Sequence, residues 1–433
     1  MLTIAKALTQ SEALLDPFVS TAPEESGRAG FRPVPSNIGA ILPESGGSLS
    51  LSLATALPEA EADWTALEER APISPYQRYD LAAAWVQHAA ASEGVSPRIG
   101  VVRNETGRVV MILPFGVTRR LGINIAVYLG GSHFNLNLPI SDPHLRLGAR
   151  AAPALLHAYA AAAGADLLLL CNQPERWKGI PHPFLSLPHY GAPDDVRLIV
   201  IDSDFDSYLL RQLSRKMRSE LRRKTMKFKD AGITGATPAA SLEEVERFLS
   251  TFIEQKSKRL ASQGLDDPFA SPGVREFLRG AALSGLSGEG GLEMHAIVRN
   301  GRILSVRAGV RHRDHLSFMV QSFDTEEALA KYTPSEFLLT EVLLAARTQG
   351  VTSFDFGVGD GRFKQVWSND LVPMFNIAHG VTKKGRMLAT LAQGKDAAKR
   401  YIKRRPQLFS AVQDARVLGA KLKSLPGLLL FAQ

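Results

Sequence analysis

Apolar residues recur at every fourth position between residues 205 and 230, and this is the clearest periodic pattern in the chain. The residues that set the period are Leu209, Leu213, Met217 and Leu221. A repeat close to 3.6 residues predicts an amphipathic helix. Gly232 follows as a residue typical of a helix C-terminus. We therefore expect one continuous helix over residues 205–230.

The rest of the chain shows two similar successions of helix and strand patterns. In the first half these are helices at 64–68 and 79–88, strands at 98–104 and 108–119, a helix at 151–163 and a strand at 166–171. In the second half they are helices at 242–260 and 274–283, a strand meander over 292–322, a helix at 334–348 and a strand at 351–356. Asn300-Gly301, between two apolar runs, is a strong hairpin signal. The repeated order predicts an α+β fold made of a duplicated unit.

Composition divides the chain into four segments. The 433 residues are 45% hydrophobic and 22% charged, which is typical of globular domains, and the length suits two or three of them. We predict a flexible lead over 1–60 with one short strand at 49–53, and a first half over 61–204. A second half over 205–380 includes a basic linking helix at 205–231, and a basic helical tail covers 381–433.

The net charge of +8 is concentrated at the C-terminal end of the chain. Residues 382–433 carry twelve basic and two acidic residues, which leaves 39 basic and 41 acidic residues for the first 381. A nearly neutral body argues against DNA binding. The tail fits two interpretations: a charged appendage, or a basic amphipathic segment that lies on an anionic membrane.

Cysteine content and hydropathy narrow the class further. Cys171 is the single cysteine, so the chain forms no internal disulfide or cysteine-based zinc site, and we find no other metal-ligand set. No apolar run reaches the roughly 18–20 residues that a membrane span needs. The first fifteen residues lack a signal-peptide core. We expect a cytoplasmic protein, with contact to the inner membrane through the tail as a second expectation.

Several short blocks of sequence resemble one known family. The blocks are Ser74-Pro75-Tyr76-Gln77 with Trp85, the basic run 216–224, Tyr332-Thr333-Pro334, Phe354-Asp355-Phe356-Gly357-Val358-Gly359-Asp360 and Phe363-Lys364-Gln365-Val366-Trp367. Together they resemble the CelD-like acetyltransferases associated with bacterial cellulose and exopolysaccharide synthesis. These enzymes belong to the GNAT superfamily and are similar to FemAB-type peptidyltransferases. The resemblance covers about residues 63–375.

The resemblance implies a fold and a reaction. It implies two tandem GNAT-like units, each a mixed, mainly antiparallel sheet flanked by helices. It also implies acetyl-CoA or another acyl-CoA as donor and a small molecule or saccharide as acceptor. In the FemAB branch the donor is an aminoacyl-tRNA, which is the alternative function. The chain lacks the usual [Gln/Arg]-x-x-Gly-x-[Gly/Ala] pyrophosphate loop, and this motivates a third hypothesis, a non-catalytic scaffold of a polysaccharide synthase complex.

Candidate catalytic residues follow the strand at 351–356. Direct acyl transfer needs deprotonation of the acceptor and stabilisation of an oxyanion. Asp355 and Asp360 are candidates for the general base or for orienting the acceptor, and Lys364 is the candidate for charge stabilisation. We expect Asp355 and Lys364 to face a shared cleft. The alternative interpretation is a glycine turn with solvated charges.

Candidate donor-binding residues lie at the start of the helix at 334–348 and in the glycine loop. A helix N-terminus attracts phosphates, and glycines allow close approach of a backbone to a ligand. The candidates are Tyr332, Thr333, Ser335, Gly357, Gly359 and Arg362. Ordinary helix capping is the alternative, and Glu336 in the first turn favours it.

Candidate acceptor-binding residues come from three places: the loop His133-Phe134-Asn135, the basic helix and the last aromatic block. The candidates are His133, Asn135, Arg218, Arg222 and Trp367. The basic helix fits either an anionic groove or the solvated face of an amphipathic helix. A structural histidine in a loop is likewise the alternative for His133.

Overall fold

Twenty strands carry the fold in the computed structural model, which describes residues 38–41, 48–288, 290–325, 332–359, 361–405, 407–412 and 414. Up to residue 204 the strands are β1 (Ile38–Ile41), β2 (Leu49–Ala54), β3 (Val95–Pro97), β4 (Ile99–Asn104), β5 (Val109–Leu113), β6 (Phe115–Arg120), β7 (Ile123–Tyr128), β8 (Ile140–Ser141), β9 (Leu167–Pro174), β10 (Arg176–Trp177), β11 (Ile180–Pro181), β12 (Tyr190–Gly191) and β13 (Val196–Val200). Beyond it they are β14 (Thr237–Pro238), β15 (Leu292–Arg299), β16 (Arg302–His312), β17 (His315–Phe323), β18 (Ser353–Val358), β19 (Asp370–Val372) and β20 (Met374–Gly380).

Helices flank these strands. They are α1 (Glu61–Glu68), α2 (Tyr79–His88), α3 (Ala151–Ala163), α4 (Phe205–Gln212), α5 (Arg215–Asp230), α6 (Leu242–Ser262), α7 (Pro272–Gly285), α8 (Pro334–Thr348), α9 (Arg362–Trp367) and α10 (Lys383–Lys403). Short 3₁₀ turns at Leu57–Ala60 and Pro75–Gln77 precede α1 and α2. None of the helices in the described ranges is long and apolar enough to cross a membrane.

The strands form three larger sheets. A five-stranded sheet has the order β1-β2-β4-β5-β8, and a six-stranded sheet has the order β12-β20-β9-β7-β6-β3. A seven-stranded sheet has the order β14-β15-β16-β17-β18-β13-β19. Most neighbouring strands pair antiparallel, as in the β15–β16 hairpin that Asn300-Gly301 closes.

The six-stranded and the seven-stranded sheets share one feature: each has one parallel strand pair that separates after a few residues. In the six-stranded sheet β7 pairs with β9 only at Ile125 with Leu167 and Ala126 with Leu168. In the seven-stranded sheet β17 pairs with β18 only from His315 with Ser353 to Ser317 with Asp355. A helix, α3 or α8, connects each pair, as a parallel crossover requires. The predicted α+β fold of two similar units is therefore confirmed.

The two units exchange strands. β13 pairs with β18 and β19 in the seven-stranded sheet, although it precedes residue 204. β20 pairs with β9 in the six-stranded sheet, although it follows the second unit. β13 hydrogen-bonds to the edge of β18 that faces away from β17, and β20 does the same for the edge of β9 that faces away from β7. Buried strand edges need such partners for their backbone groups. A cut between residues 204 and 205 would therefore not separate the sheets.

The helix expected over residues 205–230 is interrupted, which corrects the periodicity argument. Leu213 has an extended backbone between α4 and α5, and the Ser214 side chain accepts a hydrogen bond from the Met217 N–H at 3.3 Å. A serine in this position favours a helix N-terminus over a helix interior. Arg218 stabilises the junction because its guanidinium donates to the carbonyls of Leu210 and Leu213.

Both ends of the chain contribute to the first unit. Strand β2 confirms the short strand expected at 49–53 within the predicted lead, and it buries Leu49 and Leu51 in the core that includes helix α3; residues 1–37 and 42–47 lie outside the described residues. At the other end, α10 buries Leu388, Ala389 and Ala392 in the core. Fully burying a leucine stabilises by roughly 1.5–3 kcal/mol. The tail is therefore a docked element as far as residue 403.

One hydrophobic core continues from the first unit into the second. It includes Trp64, Trp85 and Phe134 of the first unit together with Phe248 and Phe277 of the second. Protein interiors are close-packed and transmit strain. The junction between the units is therefore a packed interface that can hold side chains from both units in fixed positions.

Candidate functional site

The block Ser74-Pro75-Tyr76-Gln77 positions one wall of the junction. It forms a buried 3₁₀ turn in which the Ser74 hydroxyl donates to Gln77 Oε1 at 2.6 Å. Gln77 Nε2 in turn donates to the Leu136 carbonyl at 2.8 Å. These bonds hold the Tyr76 ring 5.7 Å from Phe134, and the Tyr76 hydroxyl accepts from Asn135 Nδ2 at 3.1 Å. Burial raises the pKa of Tyr76 well above its usual range, and nearby Asp355 adds to this, so the phenol stays protonated.

Asp355 lies at the last paired position of β17 and β18 and is fully buried. Its carboxylate accepts hydrogen bonds from His315 Nε2 at 3.0 Å, from the Gly357 N–H at 2.6 Å and from the Ser317 hydroxyl. Hydrogen bonds of this kind offset the cost of burying a charge. Because its oxygens are occupied and unexposed, Asp355 orders its neighbours and does not reach an acceptor directly in this conformation.

His315 is held from three sides. Its Nδ1 lies 2.7 Å from the Ser353 hydroxyl, and the edge of the Trp177 ring lies against it at a centroid distance of 4.9 Å. A proton on Nε2 satisfies Asp355 and leaves Nδ1 to accept from Ser353. Trp177 belongs to the first unit, so both units hold the histidine that supports Asp355.

Gly357 brings the two units into contact. It has φ +67°, and a Cβ there would lie 2.8 Å from the Asn135 side chain. Only glycine adopts this conformation without strain and also leaves room for the amide. Tyr76, Asn135, Gly357 and Asp355 therefore form one continuous set, which we call the junction cluster.

Lys364 adjoins the junction cluster from α9. Its ammonium donates to the carbonyls of Phe356, Gly357 and Val358 at 2.8, 3.2 and 2.7 Å. Burial lowers the pKa of Lys364 to about 8; Asp355 and Asp194 oppose this shift, and Lys256 and Arg307 add to it. The amine therefore changes its charge near neutral pH.

Arg307, on β16, is a fully buried cation. Its Nη2 donates to Gln321 Oε1 at 2.8 Å and to the Ser335 carbonyl at 3.4 Å, and its guanidinium stacks on Phe318 at 4.7 Å. Nε has no partner within the described residues, and none of their carboxylates pairs with this guanidinium. Burial lowers the pKa of Arg307 to about 9. A buried charge without a counter-ion is costly, and this one lies under the first turn of α8.

The predicted donor-binding residues fall into two groups. Tyr332, Thr333 and Ser335 do gather at the start of α8. There, however, Thr333 donates to the Glu336 carboxylate at 3.0 Å, and Glu336 pairs with Lys224 at 2.9 Å. The Thr333 side chain makes no capping hydrogen bond to a backbone N–H of the helix. Gly357 and Gly359 lie beside Lys364, whereas Arg362 is exposed at the start of α9; Asp360 lies outside the described residues.

The predicted acceptor-binding residues mostly have structural contacts. His133 is buried, lies 3.0 Å from Glu93 and packs near Phe269 and Phe277. Trp367 is buried in the core of the second unit. Arg218 closes the α4–α5 junction as described above, and Arg222 is exposed on α5. Asn135 alone of this group joins the junction cluster.

The three grooves described on the surface do not coincide with the cleft expected for Asp355 and Lys364. Grooves of about 520, 440 and 320 Å³ lie on the described surface, and neither Asp355 nor Lys364 lines them. The largest of these three runs along α6, between residues such as Arg247 and Lys258 and the end of β17. Asp355 and Lys364 are instead neighbours within a packed junction that Asn135 and Lys364 connect to the surface.

Sequence reasoning missed His315, Ser317 and Arg307. Arg307 occurs within the largely apolar stretch 303–310, where a charged residue is a signal of function or of a buried partner. Tyr76 belongs to one of the family-like sequence blocks, but the sequence alone predicts no role for it.

Comparisons with known proteins agree with this architecture. Residues 215–365 match the family model of the acetyltransferase (GNAT) domain. No curated protein matches the chain. The crystal structure of FemX is similar over 75% of this chain and 96% of its own, with 14% identity and a TM-score of 0.52.

Two further solved structures are similar at lower scores. The C-terminal domain of a putative lysylphosphatidylglycerol synthetase from Agrobacterium fabrum is 12% identical over 79% of this chain and 97% of its own, with a TM-score of 0.47. A tandem GNAT protein from the clavulanic acid biosynthesis pathway is 12% identical over 77% of this chain and 100% of its own, with a TM-score of 0.43.

The family match and the duplicated architecture define the class. The chain consists of two GNAT-like units, and the second contains the GNAT acetyltransferase domain. The domain match over residues 215–365 supports an acyltransferase enzyme of the GNAT type.

Proposed function

We propose that this acyltransferase moves an acyl group from acetyl-CoA or another acyl-CoA to an amine or hydroxyl of a small molecule or saccharide. The setting we propose is cellulose or exopolysaccharide synthesis, as in the CelD-like enzymes that the sequence blocks resemble. The observation that carries the proposal is the junction cluster with Lys364, located where β17 and β18 separate within the matched domain.

Lys364 is the residue best placed to stabilise the oxyanion of the transfer. The acceptor atom attacks the thioester carbonyl and forms the new bond, the carbon–sulfur bond breaks, and the acceptor's proton goes to the leaving thiolate. The longest of the three lysine hydrogen bonds, 3.2 Å to the Gly357 carbonyl, is the one we expect the oxyanion to replace. Donors positioned before the reaction contribute most to this kind of catalysis.

Asp355 acts in this proposal as a positioning residue. Its hydrogen bond from the Gly357 N–H fixes the strand end whose carbonyls hold Lys364. His315 and Ser317 fix the carboxylate in turn. Of the two candidates for the general base, Asp355 therefore takes the positioning role, and Asp360, which lies outside the described residues, stays the proposed base that passes the acceptor's proton to the leaving thiolate.

Arg307 supports the choice of an anionic donor. A buried guanidinium that has no carboxylate partner among the described residues and lies under the first turn of a helix favours a phosphate-bearing ligand nearby. Thr333, Ser335 and Tyr332 would then flank the diphosphate, which displaces the carboxylate of Glu336 from the helix start.

Titration calorimetry with acetyl-CoA and with longer acyl-CoAs tests the donor. We expect saturable binding of at least one thioester, weakened in Arg307→Met and retained in the exposed control Arg302→Met. Heat traces that stay flat with every thioester would remove the acyl-CoA proposal and revive the scaffold hypothesis.

A specific observation favours a second candidate, aminoacyl transfer from tRNA. Helix α5 exposes Arg215, Lys216, Arg222 and Arg223, and only Glu220 and Asp230 oppose them on that helix. Such a surface suits a polyanion, and binding would weaken steeply as salt rises. Filter binding of tRNA at two salt concentrations tests this candidate. Binding that falls steeply with salt would support the tRNA donor, and absence of binding would remove it, because transfer from acyl-CoA requires no tRNA.

A further inference from the structure

Helix α10 is apolar on two opposite faces. One face packs into the core through Leu388, Ala389 and Ala392. The other leaves Met387, Leu391 and Tyr401 exposed to solvent by 62%, 51% and 56%. The docked face alone attaches the helix to the core, so the exposed apolar face is free to contact a binding partner.

Exposed cations flank the outer apolar side chains of α10, and its one carboxylate lies on the docked side. Lys383, Lys384 and Arg386 are exposed beside Met387, and Arg404 and Arg405 are exposed beyond the helix end. Asp396 is the single acidic residue of the helix, and it accepts from Asn376 Nδ2 at 2.8 Å on the docked side. The outer face is therefore apolar and cationic without a carboxylate.

A further exposed apolar residue, on a different element, lies at the turn between β6 and β7. Leu121 is 69% exposed and has φ +50°, a conformation that a leucine rarely adopts in a turn. Arg119, before it, is also exposed. The turn therefore repeats on a small scale the combination found on α10, an apolar tip beside a cation.

Asp166 connects the turn and the helix. Its carboxylate accepts from the Asn124 N–H at 3.0 Å and from the Thr382 hydroxyl at 2.9 Å. Gly385 in the first turn of α10 lies so close to the Asp166 carbonyl that a Cβ would meet it. Leu121 and the start of α10 therefore belong to one end of the first unit, which we call the α10 end surface: Arg119, Leu121, Lys383, Lys384, Arg386, Met387 and Leu391.

We infer that the α10 end surface binds an anionic lipid bilayer. Apolar side chains that enter the headgroup region and cations that contact acidic headgroups are the two components of peripheral membrane binding. A protein partner fits less well, because lysines are depleted in protein interfaces. The inference is independent of the donor and acceptor of the enzyme, and it places the enzyme at the inner face of a membrane.

Sedimentation with vesicles tests the apolar part. The full chain is mixed with vesicles of phosphatidylcholine alone or of equal parts phosphatidylcholine and phosphatidylglycerol. We expect binding to the anionic vesicles and a loss of about tenfold or more in L121S/M387S/L391S. The control L242S/L265S/L286S removes three exposed leucines of the second unit and should bind like wild type. Equal losses in both variants would overturn the inference.

Charge variants test the cationic part. K383Q/K384Q/R386Q should lose about tenfold or more for the anionic vesicles, and added salt should weaken wild type. R215Q/K216Q/R222Q removes the same charge from α5 and should bind normally. Thermal unfolding of each variant verifies folding.

Two other outcomes would contradict a lipid surface. Equal binding of wild type to neutral and anionic vesicles would remove the role of the cations. A dimer in light scattering that L121S/M387S/L391S dissociates, with no vesicle binding by wild type, would make a second copy of this chain the occupant.

Discussion

The two diverging strand pairs have similar backbone geometry and different chemistry. Where β7 and β9 separate, the space is filled by residues such as Tyr128, Leu170 and Phe375, and the Tyr128 hydroxyl donates to Gln173 at 3.0 Å. Where β17 and β18 separate, Asp355, His315 and Ser317 form a buried polar cluster beside Lys364. The polar side chains at the first divergence, such as Asn137 and Gln173, are neutral. The second divergence has titratable groups instead, and the first unit contributes Tyr76 and Asn135 to it as a wall.

Removal of the Asp355 carboxylate should give the largest difference in the free energy of unfolding between the two sites. Asp355→Ala leaves His315, Ser317 and the Gly357 N–H without their acceptor, and breaking a buried charged network costs about 3–5 kcal/mol. Tyr128→Phe, the matched change in the first unit, removes one neutral hydrogen bond and should cost about 1 kcal/mol. Urea unfolding measures both. Similar costs would mean that the two divergence points are equivalent.

Replacement of the lysine separates catalysis from folding. Lys364→Met should lower kcat by about 10²–10³-fold, the usual effect of losing an oxyanion donor. The exposed Lys258→Met should leave kcat unchanged. Turnover with a thioester donor is the measurement, and undiminished turnover in Lys364→Met removes this residue from the mechanism.

Substitution of Gly357 tests whether the second unit contacts the first at Asn135. Gly357→Ala should destabilise by about 2–3 kcal/mol, since it adds the roughly 1–2 kcal/mol of a left-handed residue to a clash with Asn135. Gly301→Ala, in an open turn with φ +76° and no atom nearby, should cost only the conformational part. Adding Asn135→Ala should recover part of the loss in Gly357→Ala and none in Gly301→Ala. Absence of this coupling would place the two residues apart.

The pH dependence gives the smallest effect. Because burial lowers the pKa of Lys364 to about 8, its ammonium is lost as the pH rises through that value, and kcat should fall there. The folded pKa lies below the unfolded value, so Lys364 costs stability at low pH and that cost disappears between about pH 8 and the unfolded pKa near 10.4. Lys364→Arg keeps its charge, so its pH profile should stay flat across this range.

The local part of the fold could be predicted from the sequence. Asn300-Gly301 closes the β15–β16 hairpin because both residues adopt positive φ, and Gly350 follows the end of α8 for the same reason. The strand exchange could not be predicted, because pairing of β13 with β18 depends on contacts between residues about 150 positions apart. The interruption of the helix at Ser214 was not predicted, because apolar residues continue at every fourth position on both sides of it.

Less of the site than of the fold could be predicted. Asp355 and Lys364 were identified from their block, and the structure places them together. The three donors to Asp355 come from three different parts of the chain, so spacing along the sequence gives no sign of them. His133 was misleading because a histidine after two glycines looks like a ligand-binding loop, whereas Glu93, forty residues earlier, pairs with it.

The position of β20 has a consequence for synthesis of the protein. While the ribosome makes the second unit, the apolar strand Leu167–Pro174 has no neighbour on one side, because that neighbour is encoded some two hundred residues later. An unpaired apolar edge is prone to aggregation. We therefore expect the nascent chain to expose this strand edge until residue 380 emerges, and a chain truncated before β20 to lack the neighbour that completes the six-stranded sheet.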